Sequence, residues 1–198
     1  MLEAHDLAAQ RGHARLFAGL SFEVGPGRAL VVTGANGTGK TTLLRMLAGL
    51  SLPAAGEIRW DGKSVAPFDP AMRASIAFAG HAPALKDELT AEENLTALAT
   101  LAGETVTKEA IHRALDAVAL GSRRTLPARV LSQGQRRRIG LARPLWILDE
   151  PVTALDAAGA GLLTAMVAAH LDRGGIAVAA THAPLGLPES RSHAITLA

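Results

Sequence analysis

The sequence predicts an α/β fold, with a parallel sheet core, a β-rich N-terminal region and a helical segment inserted into the core. Three observations carry that expectation. Residues 29–33 (ALVVT) form a short apolar, β-branched run, followed by a glycine-rich loop and then by good helix formers over 42–48. Residues from about 86 to 130 change to helical periodicity. From Pro144 the alternation of strand and helix returns, with a strand at 145–148, a helix at 157–172, a Gly174-Gly175 turn and a strand at 176–181.

Taken in order, residues 20–24 (LSFEV) alternate as a half-buried strand, and Gly25-Pro26-Gly27 turns the chain into the strand at 29–33. Gly49 is placed to cap the first helix. Residues 56–60 alternate again, Asp61-Gly62 supplies a tight hairpin turn, and residues 63–65 return. Residues 75–79 (SIAFA) make a further apolar strand. Thr90-Ala91-Glu92-Glu93 is a capping box that opens a helix. Ile111, Leu115 and Val118 share one helical face for core packing, and Gly121 is expected to end that helix. Ser132, in the run LSQGQ, is placed to cap the next helix. The whole of 1–198 reads as one domain, with a helical subdomain at about 86–138.

The chemistry begins at residues 34–42, GANGTGKTT, which fit G-x-x-x-x-G-K-[ST] with strand before and helix after. Over Gly34, Ala35, Asn36, Gly37, Thr38, Gly39, Lys40, Thr41 and Thr42, backbone N–H groups can turn inward around phosphate oxygens, aided by the positive end of the helix dipole. Lys40 would reach the β- and γ-phosphates of a nucleoside triphosphate, and the Thr41 hydroxyl would ligate Mg²⁺. Residues 145–150 (LWILDE) are an apolar strand ending in two carboxylates. Beside such a loop, Asp149 would hold Mg²⁺ and Glu150 would polarise the attacking water as general base. His182 ends the last clear apolar strand, at the carboxyl edge where ligands gather in such sheets. A lone histidine is more often structural, and Ser132 by itself reads as an ordinary cap.

Composition narrows the partners. A net charge of +2 gives no reason to expect nucleic acid, and the run Arg136-Arg137-Arg138 reads as a solvated helix face. The absence of cysteine excludes disulfides, thiolate metal sites and a cysteine nucleophile. No apolar stretch is long enough to span a bilayer, and the first residues lack the pattern of a signal peptide, so a membrane role is expected only through a partner.

In their order along the chain these motifs resemble those of the ATP-binding cassette ATPases, the nucleotide-binding subunits of membrane transporters. GANGTGKTT is similar to their Walker A motif, LSQGQ to the signature, LWILDEP to Walker B, Ala154-Leu155-Asp156 to the D-loop and His182 to the switch histidine. The resemblance implies the P-loop cassette fold with an antiparallel β subdomain and a signature-bearing helical subdomain. It also implies ATP and Mg²⁺, and a dimer in which Ser132, Gln133, Gly134 and Gln135 of one subunit close the ATP held by the other. Transmembrane permease subunits would complete the complex. Residues 12–24, 80–95, 127–138, 144–156 and 168–175 resemble more narrowly the cassette subunits of bacterial c-type cytochrome biogenesis. That resemblance implies heme export or heme-chaperone release at the cytoplasmic face of the inner membrane. The chain has no CxxCH and its seven His are scattered, so heme is not expected to bind it directly.

Three positions depart from the cassette pattern. His81 stands where most members carry a glutamine; histidine could bond the catalytic water or meet Mg²⁺ through water, with a pH-dependent charge. No aromatic is placed to stack on adenine, and Arg11 could offer its guanidinium plane instead. From Gln135 to Asp149 is only 14 positions. That is about six short of the family spacing, or about 9 Å of helix at 1.5 Å per residue. Either the natural chain carries a further stretch here, or the helix return is truly short and hydrolysis is impaired. Other readings are a transporter subunit for another substrate, a nucleotide-binding subunit without turnover, and a soluble non-transport cassette protein. The last usually carries two cassettes, long linkers or coiled coils, none of which is evident here.

Overall fold

The computed structural model describes all residues except 67–68, 70–74, 80–84, 102–104, 140–144 and 154. Two sheets organise it. The first is antiparallel, in the order β2-β1-β4-β5, from β1 (Leu2–Arg11), β2 (Ala14–Val24), β4 (Ala55–Trp60) and β5 (Lys63–Ser64). The second is parallel throughout, in the order β6-β7-β8-β3-β9, from β3 (Ala29–Gly34), β6 (Ile76–Ala79), β7 (Leu145–Asp149), β8 (Ile176–Ala180) and β9 (Ser192–Leu197). The helices are α1 (Lys40–Leu47), α2 (Ala91–Leu101), α3 (Lys108–Ala117), α4 (Gln133–Ile139) and α5 (Ala157–Asp172).

The parallel strands are apolar on both faces because each face has a layer to cover it. Leu30, Val32, Leu145, Ile147, Ile176 and Val178 point toward the antiparallel sheet and α1. Their sequence neighbours Ala29, Trp146, Leu148, Ala177 and Ala179 face α5 and the helical region. Helix α1 lies between the two sheets and buries Leu43, Leu44, Met46 and Leu47. Each of these side chains contributes about 1.5–3 kcal/mol by leaving water. Gly49 follows the cap of α1 in the left-handed region (φ 65°), with its N–H and that of Leu50 returning to the carbonyls of Met46 and Arg45, as expected.

On the other face, Trp146 is fully buried and stacks on His170 of α5, with ring centroids 4.0 Å apart and planes 16° from parallel. The His170 ring bonds the Ile176 carbonyl at 3.1 Å, which fixes α5 to β8. Among the described residues the Trp146 indole N–H has no hydrogen-bond partner.

Helix α3 ends differently from the expectation. It stops at Ala117, and the left-handed residue beyond it is Ala119 (φ 54°), not Gly121, which opens a short 3-10 turn. The left-handed alanine costs about 1–2 kcal/mol; burial of Leu120 and its N–H bond to the Leu115 carbonyl at 2.8 Å offset it. At Gly121 a Cβ would meet only the exposed Asp116 carboxylate, a side-chain end that can turn away.

Candidate functional site

At the carboxyl end of the parallel sheet, β3 turns into α1 through the glycine loop. Gly34 (φ 138°) passes so close to the end of β9 that a Cβ would lie 2.4 Å from the Leu197 carbonyl oxygen. Gly39 (φ 102°) caps α1 from the left-handed region, and the space for a Cβ is taken by Leu16 and Phe17 of β2. Both sheets therefore press on the loop, and its backbone has little room to be anything else.

The start of α1 differs from the other helices. Thr90 and Glu93 cap α2 reciprocally, Thr107 caps α3, Ser132 and Gln135 cap α4 reciprocally, and Asp156 caps α5. Helix α1 has no side-chain cap and no acidic residue in its first turn. It carries Lys40 there, 8% exposed, whose Nζ reaches the carbonyls of Gly34 (2.8 Å) and Ala35 (3.0 Å) and His182 Nε2 (3.2 Å). Among the described residues no carboxylate pairs with it. A buried ammonium beside uncapped N–H groups suits a phosphate.

Next to it the Thr41 hydroxyl donates to Asp149 Oδ2 at 3.0 Å. Adjacent ligands of an octahedral ion held at about 2.1 Å lie about 3.0 Å apart, so these two hard oxygens fit Mg²⁺. Among the described residues no cluster of three His, Cys, Asp or Glu could hold a metal by itself. Phosphate oxygens and water would supply the remaining ligands.

Glu150 leaves β7 in the left-handed region (φ 48°), held by its N–H to the Ala180 carbonyl at 2.9 Å and by Thr153, whose hydroxyl donates to its carboxylate at 3.3 Å. The buried Thr181 hydroxyl pins the turn after β8. That turn presents His182, whose Nε2 is 3.1 Å from Asn36 Oδ1 and 3.5 Å from Glu150 Oε1. A single ring nitrogen faces the Lys40 ammonium, which can only donate, and the oxygens of Asn36 and Glu150, so it either accepts from Lys40 or donates to one of the two oxygens.

Arg11, Leu16, Lys40, Thr41, Asp149 and Glu150 are among the residues lining a cleft of about 280 Å³. The structure thus brings together the glycine loop, Arg11, Asp149, Glu150 and His182. It does not bring Ser132, Gln133, Gly134 or Gln135 into the same cleft, nor Asp156, which caps α5. His81 and the junction at 140–144 lie outside the described residues. Leu16 was not anticipated, since nothing in its strand pattern marks it for a ligand. The expectation of a solvated arginine face is corrected: Arg136 pairs with Asp87, and Arg138 donates to the carbonyls of Gly134 (3.3 Å) and Val118 (3.0 Å). Burial, with Arg123 nearby, shifts the Arg138 guanidinium downward.

A glycine loop between strand and helix, two carboxylates at the end of β7, two strands away across β8, and a separate helical region define an ATP-binding cassette. The ABC transporter family profile matches residues 17–156. The fold is also that of a solved ATP-binding cassette of an ABC transporter in its ADP conformation, with TM-score 0.81 and 22% identity, covering 93% of this chain and 82% of that one. The cytochrome c biogenesis ATP-binding export protein CcmA of Dechloromonas aromatica is 49% identical over 194 residues, 95% of each chain. CcmA of Pseudomonas aeruginosa is 48% identical over 198 residues, 97% of this chain and 98% of its own. The chain belongs to the ABC transporter family and, within it, to the CcmA proteins.

Proposed function

We propose that the chain is the ATP-hydrolysing subunit of an export complex for c-type cytochrome maturation, serving heme export or heme-chaperone release. In this reading it is one cassette unit that works as a dimer on transmembrane permease subunits at the cytoplasmic face of the inner membrane. The observation that carries the proposal is the meeting of Thr41 and Asp149 beside the buried Lys40, with Glu150 and His182 at the rim. Near full-length similarity to CcmA proteins supports the export role. Among the described residues no helix is long and apolar enough to cross a membrane, which agrees with a peripheral subunit.

Each residue then has a task. Lys40 and the first N–H groups of α1 hold and orient the phosphates. Thr41 and Asp149 would hold Mg²⁺, which when bound neutralises phosphate charge. Arg11 and Leu16 offer a planar cation and an apolar surface on the cleft wall. Glu150 takes the proton from the attacking water, and His182 orients that water or the γ-phosphate from the far side. Ser132, Gln133, Gly134 and Gln135 close the ATP of the second subunit, Asp156 serves in the facing loop, and His81 would serve the catalytic water or, through water, Mg²⁺.

The experiment is complementation of a bacterium lacking its own CcmA, read as covalently bound heme in c-type cytochromes. The expected result is recovery with the natural chain and none with Glu150→Gln. Equal recovery with both would overturn the hydrolytic reading, and recovery with neither the export reading.

A second reading has its own observation. The spacing from Gln135 to Asp149 is 14 positions. The 198 positions aligned with the Pseudomonas aeruginosa relative use 97% of a chain of 198 residues, so about six have no counterpart in it. A nucleotide-binding subunit with impaired turnover fits that shortening. ATP bound by the purified chain but not hydrolysed, with the permease present, would favour it.

A further inference from the structure

We propose that residues 86–90 form a brace that sets the position of the Ser132–Gln135 turn, with Asp87 and Asn94 as its positioning residues. The proposal rests on the reading that this turn closes the ATP site of a second copy.

Asn94, on α2, is 3% exposed and fully hydrogen-bonded. Its Nδ2 donates to the carbonyls of Lys86, Leu89 and Thr90, each at 3.0 Å, and its Oδ1 accepts the Lys86 N–H at 2.8 Å. One buried amide thus fixes both ends of a five-residue loop. That loop is bonded to the chain just before the turn. Ala128 N–H donates to the Leu89 carbonyl at 2.8 Å, Arg129 N–H to the Asp87 carbonyl at 3.0 Å, and Thr90 bridges Pro127. The Asp87 side chain then reaches past the turn to Arg136, in the first turn of α4.

Asp87 therefore grips the chain on both sides of Ser132–Gln135, by its carbonyl before it and by its carboxylate after it. Within the described part of α4, Ile139 is buried in the core and Arg138 beside it reaches the Val118 carbonyl.

The Asp87–Arg136 pair is partly exposed (52% and 23%), and such pairs add little to global stability, so variants should fold. The test uses the full chain. Amide hydrogen exchange over 132–136 is measured for Asp87→Asn, Arg136→Gln and the swap Asp87→Arg/Arg136→Asp. The same proteins carrying Glu150→Gln are then assayed for ATP-dependent dimerisation by sedimentation, with Ser132→Arg as the control.

The two single variants should speed exchange in the turn about 10-fold and weaken dimerisation about 10-fold, with the swap restoring both. Exchange in 40–47 and the affinity of the monomer for fluorescent ATP should not change. Exchange in the turn unchanged by either single variant would overturn the brace. So would wild-type dimerisation of both single variants while Ser132→Arg fails to dimerise, the closing role of the turn then standing. Dimerisation of Ser132→Arg like the parent would instead overturn that closing role, and the proposal with it.

Discussion

The glycine loop and the Ser132 turn are both short polar segments at the start of a helix, yet they are held in opposite ways. The loop is fixed by backbone packing: Gly34 lies against the end of β9, Gly39 against β2, and α1 is buried between two sheets. The Ser132 turn is fixed by side chains, through its reciprocal cap with Gln135, the Asp87–Arg136 pair and the reach of Arg138. Packing leaves a segment one position, whereas polar ties on a partly exposed surface can be broken and remade singly. On the proposed reading, the contrast separates a site that is ready before its ligand arrives from one that closes onto it.

Substitutions can break or sharpen that contrast. The largest expected effect is from Glu150→Gln, a loss of about 10²- to 10⁴-fold in ATP turnover with nucleotide affinity kept, measured by steady-state hydrolysis beside equilibrium binding. In the helical region, Leu115→Ala removes a fully buried side chain of α3 and should cost about 2–5 kcal/mol in denaturant unfolding. If the loop is independently held, ATP affinity in native buffer stays within about twofold of the parent, which is less than 0.5 kcal/mol. A larger loss would show that the two regions share their order.

Lys40→Ala comes next. It removes a charged donor, and the dissociation constant for ATP should rise about 10- to 150-fold by titration calorimetry. Helical content by circular dichroism should stay the same.

The smallest effect concerns the cap of α2. Backbone and side-chain hydrogen bonds from Thr90 hold the Glu93 carboxyl below its ordinary value of 4.5. Because the folded state binds this proton less readily than the unfolded one, the stabilisation is present above pH 4.5 and fades as pH falls through the lowered value. Glu93→Gln should flatten the dependence of stability on pH in that acidic window and leave the neutral-pH slope as it was, checked by urea melts at several pH values.

The parts of the molecule that could be read in the sequence are those whose residues act locally. The strand–loop–helix around Lys40, the two carboxylates at the end of β7 and the Thr90–Glu93 box follow from side chains within a few positions of one another. Strand β9 was not expected: its polar pattern, SHAITL, follows a loop, and only pairing with β3 makes it a strand. Gly121 is misleading for a related reason, since the end of α3 is set by burial of Leu120. The arginines of α4 read as solvated because Asp87 and Val118 are 49 and 20 positions away. In the nucleotide cleft, Leu16 went unseen, as a leucine in a strand gives no sign of what it faces.

The stack of Trp146 on His170 has a practical use. The chain has two tryptophans and no tyrosine, so its near-ultraviolet emission comes from two places only. Trp60 ends β4 in the antiparallel sheet, while Trp146 lies against an imidazole on β7, an interior strand of the parallel one. Replacing Trp60 by phenylalanine would leave a lone fluorophore beside an imidazole. Its brightness would follow the seating of α5 on the sheet in real time, without any attached label.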